Sequence, residues 1–527
     1  MSRFVRASKY RHVFGQPAKK EYIIENVKVT NNAWDTNIVA ASGKYLSINW
    51  NASGGGAFAI LPLPSPFGSI PGFPHKLPDT LPLARSHTAS VLDTDWSPHD
   101  DSLVASGGDD GKLMIWKVDS NAFDGWGSDH WVPKDFDPVW RIDASPRKVG
   151  QVLFHPTASN VLASATGDYT VKLWDLARTE DPRNVLSGHN DAIQSLAFNS
   201  TGTLLVTTCR DRKLRLFDPR AGSEAVRVTD GHGGIKGARV VWMGEHDRIA
   251  TTGFSKMSER QVAIWETGSL ANVKTLPIDQ SSGVMMPFWS DNNILFLGEG
   301  AFHDGNIRYY EYEADNLIGL DEHKTTDPQR GMCFLPRRSL NVSDCEIARA
   351  YKIAGSNIEP IAFIVPRKAD GFQSDIFPPA PSYESSMKVV DLSSGASFAS
   401  SAPPSAVPTP AAAPAPTPVR APSMTQSASL PSPASAPQSS TSTPFAPPMA
   451  PSKSYSYSEE PPSPAPFTQK KSEPSPSSGN DEALIQENNQ LKADLREARE
   501  LIRNLELQVE TQRANARKAA QALLDAA

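Results

Sequence analysis

Three kinds of side chain able to do nucleophilic chemistry recur at fixed spacing. Ser106, Ser164 and Thr207 each stand four residues before an aspartate, Asp110, Asp168 and Asp211. Each aspartate stands six residues before an aromatic ring, Trp116, Trp174 and Phe217. With the SGHN stretch around His189, the hydroxyl, imidazole and carboxylate of an acyl-transfer triad are all present. A single active site would not repeat from segment to segment, and no G-x-S-x-G elbow accompanies these residues. The recurrence suits a structural role. Each aspartate sits in a tight turn and bonds local backbone. His189 and Asp211 join a buried network that fastens a strand to its neighbours.

Other chemistry finds no signal. Cys209, Cys333 and Cys345 have neither C-x-x-C nor metal-ligand spacing, and Cys209 falls on an expected strand as a core residue. No P-loop or dinucleotide glycine motif occurs. GDDG at 108–111 is a turn that lacks the acidic spacing of a calcium loop. The reading is non-enzymatic, with no catalytic residue, metal or cofactor assigned.

The elements that position these residues are repeats. Two looser copies follow, TGFSKMSERQVAIWE with Glu259 and Trp265, and GAFHDGNIRYYE with Asp304 and Tyr310. The aromatic-to-aromatic steps are 58, 43, 48 and 45 residues. That is close to the roughly 40–45 residues of a WD40 blade, a four-stranded unit. Alternation at Val171 and Leu173, and at Leu214 and Leu216, predicts half-buried strands. Five blades are visible, and blades one and seven are inferred within residues 1–370. Insertions near 53–79 and DGWGSDHWVPKDFDP account for the extra length.

Composition sets the limits. All 11 Trp of the 527 residues lie before residue 290, whereas 24 of the 45 Pro fall between Pro378 and Pro476. Only the first region can bury a large core. With 3 Cys there is no extracellular disulfide framework, so a reducing compartment is expected. No apolar run is long enough to span a bilayer, and the N-terminus lacks a secretory core. The net charge of −6 argues against nucleic-acid binding. Yet residues 1–20 hold Arg3, Arg6, Lys9, Arg11, Lys19 and Lys20 and no acid, a charge suited to an acidic partner.

SKYRHVFGQ at 8–16, TTGFSKMSERQVAIW at 251–265, CEIARAYKI at 345–353, IEPIAFIVPRK at 358–368 and DGFQSDIFPP at 370–379 resemble the coronins. The resemblance implies an all-β seven-bladed WD40 propeller over 1–380, closed by pairing the N-terminal strand into the last blade. It implies an actin-filament-binding protein of the cytoplasm, actin cytoskeleton, cell cortex and actin patches. F-actin, the branch-nucleating actin-related-protein complex and cofilin are the implied partners. The family's actin-binding Arg on the first-blade segment corresponds here to Lys28, which keeps the charge but loses the planar fork. Lys19, Lys20 and Arg11 are expected to share the load, against a plainer role as strand-edge charges. The tail resembles that of a short coronin, and its length suggests a fungal or other microbial source.

Residues 381–480 form a Pro/Ser/Ala-rich linker that cannot bury enough surface to offset its ordering entropy, so disorder is expected. Residues 481–527 predict a coiled coil. Leu484, Leu491, Ala498 and Leu505 occupy d, while Asn488, Leu495, Ile502 and Val509 occupy a. Glu487 facing Lys492 and Asp494 facing Arg499 favour a parallel homo-oligomer. Asn488 with Ile502 and Val509 at a leans to two strands. The family resemblance implies three, although Leu501 replaces the Arg of its trimer motif. Such an oligomer would cross-link or bundle filaments by avidity. The alternative is a generic WD40 adaptor for a non-actin complex, which would need a recruitment motif that the sequence lacks.

Overall fold

The computed structural model describes residues 6–385 except 33–35, 54–55, 65–66, 69–72, 74, 127, 129, 301–304 and 369–371. Asp304, all but the start of the linker, and the coiled-coil positions Leu484 to Val509 lie outside the described residues. No described helix is long and apolar enough to cross a membrane.

The described strands form seven four-stranded antiparallel sheets. β1 (Phe14–Pro17) precedes the first complete blade and belongs to the last. Blade one is β2 (Val39–Ala41), β3 (Tyr45–Trp50), β4 (Gly56–Pro62) and β5 (Leu83–His87). Blade two is β6 (Val91–Trp96), β7 (Leu103–Gly108), β8 (Lys112–Lys117) and β9 (Pro138–Asp143). Blade three is β10 (Val149–Phe154), β11 (Val161–Thr166), β12 (Val171–Asp175) and β13 (Asn184–Leu186). Blade four is β14 (Ile193–Phe198), β15 (Leu205–Cys209), β16 (Lys213–Phe217) and β17 (Arg227–Asp230). Blade five is β18 (Arg239–Trp242), β19 (Arg248–Phe254), β20 (Arg260–Glu266) and β21 (Asn272–Asp279). Blade six is β22 (Val284–Ser290), β23 (Ile294–Gly300), β24 (Ile307–Glu313) and β25 (Asn316–His323). Blade seven is β26 (Gln329–Phe334), β27 (Glu346–Ala354), β28 (Asn357–Ile364) and β1.

The ring closes as expected. β1 pairs antiparallel with β28, from Phe14 opposite Ile364 to Pro17 opposite Ile361. Pro17 donates no N–H and sits at the end of an outer strand, where its cost is lowest. The repeat aromatics all lie on third strands and face the preceding blade. Trp116 meets Phe58 of β4 edge-on at 5.3 Å. Trp174 packs with Leu113 and Ile115, Phe217 with Val171 and Leu173, and Trp265 with Leu214 and Leu216. Tyr310 packs against Val262 and Ile264.

These third strands are not half-buried as the alternation suggests. β16 is covered on both faces, and its polar face holds Arg215 at 3% exposure. The cause is the stacking of blades on either side, which hides both faces of the inner strands. Outer strands carry the polar surface, as in β21, whose first four residues Asn272–Thr275 are exposed.

The stretch expected as an insertion near 53–79 contains the third strand β4, so the insertion itself begins after Pro62. Both insertions then join a third strand to a fourth, in blades one and two, and they pack on each other. Phe73 meets Trp126 at 4.9 Å, and Trp126 stacks on Trp131 at 4.8 Å.

The two ends of the propeller differ. One end, here the turn face, carries the β7–β8, β11–β12 and β15–β16 turns with Asp110, Asp168 and Asp211. The other, the strap face, is crossed by residues 372–385. Ile376 is fully buried, its carbonyl accepts from Asn292 Nδ2, and Arg337 donates to the Pro378 carbonyl at 2.9 Å. Tyr383 ends the strap. Its hydroxyl accepts from the Asp101 amide at 3.3 Å, and Arg338 lies 5.1 Å above its ring.

Candidate functional site

The Ser–His–Asp groups are scaffold, and their best example lies at a histidine outside the repeat pattern. His87 Nδ1 donates to Asp110 at 3.0 Å, Ser106 donates to His87 Nε2 at 2.8 Å, and Trp116 Nε1 donates to Ser106 at 2.8 Å. Asp110 also accepts from the Thr88 and Lys112 amides, which fixes the turn. Burial pushes the Asp110 carboxyl up, but the hydrogen bond from His87, with those amides, holds it down at about 2. His87 and Ser106 are fully enclosed, so no substrate reaches the hydroxyl.

The expected His189–Asp211 pairing does not form. His189 Nε2 bonds Thr207 at 2.9 Å, while its Nδ1 has no partner among the described residues. Asp211 turns instead to Arg215, with contacts of 2.6 and 3.1 Å, and caps the Lys213 amide. A buried guanidinium four residues along the turn outcompetes a neutral imidazole for the carboxylate. Asp168 also lacks a histidine and bonds Thr170 and Lys172. Asp110 and Asp211 accept turn amides, whereas Asp168, expected to bond local backbone, holds its turn through the side chains of Thr166, Thr170 and Lys172.

Glu259 does not take the aspartate position. Blade five has a longer turn, and His232 is completed by Gln261 Nε2 at 2.9 Å. With that amide donating to Nδ1, the imidazole proton sits on Nε2 and goes to Thr251, 2.8 Å away. Burial lowers the pKa of His155 and His232 to about 4, and burial with the Arg215 charge does the same for His189.

The candidate binding residues lie outside the sheets. Lys19 and Lys20 stand at a short 3-10 turn after β1, and Lys28 lies in the β1–β2 connection. None is a strand-edge charge. Lys28 sits on the turn-face side, where its carbonyl accepts from Asn51 at 2.7 Å. Its ammonium is 43% exposed and lies 3.2 Å from Asp79. Hydrogen bonds from Lys28 and Asn26 hold the Asp79 carboxyl below its usual range. Arg11 precedes β1, so the strand, roughly 13 Å long, separates it from Lys19 and Lys20. Sequence reasoning missed Lys76. A parallel bridge between Glu25 and Lys76 lays the first insertion along residues 24–29 and brings this exposed lysine to the same seam. Nothing local in the sequence signals that pairing.

Residues 80–117, 136–175 and 180–218 match the profile of the WD domain, G-beta repeat. Residues 358–397 match a type of WD40 repeat, and residues 3–67 match a domain of unknown function. Over 400 residues the chain is 40% identical to Coronin-A of Dictyostelium discoideum, covering 75% of this chain and 84% of that protein. The chain belongs to the coronin family.

A coronin-like protein of Schizosaccharomyces pombe is 50% identical over 401 residues, 75% of this chain, and the match spans 63% of that relative's length. The crystal structure of the WD40 domain of Toxoplasma gondii coronin superposes with a TM-score of 0.65 at 28% identity, covering 72% of this chain and 94% of that one. Two of the matched segments bracket the ring closure. Residues 3–67 contain β1 and the Lys19–Lys28 seam, and residues 358–397 contain most of β28 and the strap. These two segments meet at blade seven, where β1 pairs with β28.

Proposed function

We propose that this coronin is a non-catalytic actin-filament-binding protein whose propeller uses the Lys19, Lys20, Lys28 and Lys76 seam. Membership of the coronin family, resting on the match to Coronin-A, is the observation that carries the reading. The exposed ammonium of Lys28 supports it, since acidic filament patches attract lysines with salt-sensitive affinity. Residues 481–527 join propellers as a parallel coiled coil, dimeric or trimeric, so that weak contacts cross-link and bundle filaments. The branch-nucleating actin-related-protein complex and cofilin are further partners, and the cell cortex and actin patches are the sites of action. Salt titration of F-actin co-sedimentation tests the reading. Pelleting that falls as salt rises supports it, and no pelleting at low salt overturns it.

A further inference from the structure

The turn face carries a second cationic surface, on blades three to five. Lys148, Arg210, Arg212 and Lys256 stand there on three connections, and none forms an ion pair among the described residues. Three neighbouring acids are already engaged, while Asp191 and Glu259 on adjoining turns form no ion pair among the described residues. Asp168 holds Lys172 at 3.0 Å, Asp211 holds Arg215 at 2.6 Å and Asp230 holds Lys213 at 2.5 Å. The four unpaired cations outnumber Asp191 and Glu259, so the loops are net positive although the chain carries a net charge of −6.

Two apolar side chains rise nearby, Met257 from the Lys256 turn and Ile235 from the adjoining β17–β18 connection. Ile235 is 86% exposed and Met257 is 82% exposed. Their connections are tied together by the Gly234 amide, which donates to Phe254 at 2.8 Å. Beside them the central channel opens into a recess of about 300 Å³ lined by Lys148, Arg210 and Ile235. Exposed aliphatic groups among unpaired cations, at the rim of a concave mouth, fit an extended chain better than a flat bilayer.

The chain's own linker does not match this charge. Residues 386–480 hold five Lys or Arg against four Asp or Glu, so the complementary segment comes from another protein. We propose that this recess binds, in trans, an extended acidic segment of a partner protein, with an aliphatic side chain seated against Ile235.

The test is fluorescence anisotropy of the full-length protein with a labelled synthetic peptide of Asp and Glu around one Leu. Binding should weaken with added salt. It should fall roughly tenfold or more in an Arg210→Glu, Lys256→Glu variant, and measurably with Ile235→Ser or with Ser replacing the peptide's Leu. A Lys28→Glu variant should bind the peptide as wild type does, which separates this surface from the actin seam. Arg210→Gln with Lys256→Gln replaces the charge reversals if those disturb the fold. The proposal is overturned if wild type does not bind the peptide, or if the folded charge variants bind it unchanged. It is also overturned if those variants lose F-actin pelleting, since the patch then belongs to the filament surface. Loss of binding only to phosphatidylserine vesicles would assign the patch to membranes and equally overturn it.

Discussion

The Nζ of Lys28 lies 3.2 Å from the Asp79 carboxylate, so the principal candidate cation of the actin seam is already engaged by the first insertion. Both groups are largely in water, and the pair contributes little to stability. Its consequence is for binding, because a filament carboxylate must displace Asp79.

Lys28→Glu should therefore weaken F-actin co-sedimentation at matched salt, by about tenfold if the contact is central. Asp79→Asn should strengthen it. Wild-type pelleting of a folded Lys28→Glu protein would remove Lys28 from the interface.

Ser106 and Ser164 allow a matched comparison of buried hydroxyls. Ser106 serves both Trp116 and His87, while Ser164 serves Trp174 at 2.9 Å with no histidine beside it. Ser106→Ala leaves two buried groups without a partner and should cost about 2–4 kcal/mol, and Ser164→Ala about half as much. Urea denaturation with a common slope reads both values.

His232 gives a pH dependence of known sign. Burial lowers its pKa from the usual 6.5 to about 4, so between those values the unfolded chain holds more protons than the folded one. Its stabilising contribution is complete above pH 6.5 and is lost as pH falls towards 4. The urea midpoint advantage of wild type over His232→Gln should accordingly shrink across that window. A gap that stays constant from neutral pH downwards would show that His232 titrates normally.

Removing residues 481–527 should abolish filament bundling while single-propeller binding persists weakly. Low-speed pelleting reports bundles and high-speed pelleting reports binding. Normal bundling by the truncated protein would exclude the coiled coil as the source of cross-linking.

The repeat was legible because Asp110 and Trp116, or Asp168 and Trp174, sit within one turn and one strand, where local spacing is rigid. His87 is not legible because it lies on the fourth strand of the preceding blade, with two further strands between it and the strand of Trp116. The pairing of His189 with Asp211 was misjudged because Arg215 reads as one more alternating polar residue. Its burial follows only from blades stacking on both faces. Lys76 was invisible for a broader reason: a bridge between an insertion and the N-terminal segment is a tertiary event with no periodicity behind it.

The strap has a mechanical consequence. A pull on the tail is met first at Tyr383, then at Arg337 and at the buried Ile376, before it reaches β28. Three anchors spread over blades two, seven and six would have to peel in series before the load arrived at the β1–β28 zip. A propeller strapped in this way resists opening of its ring when its C-terminal segment is pulled.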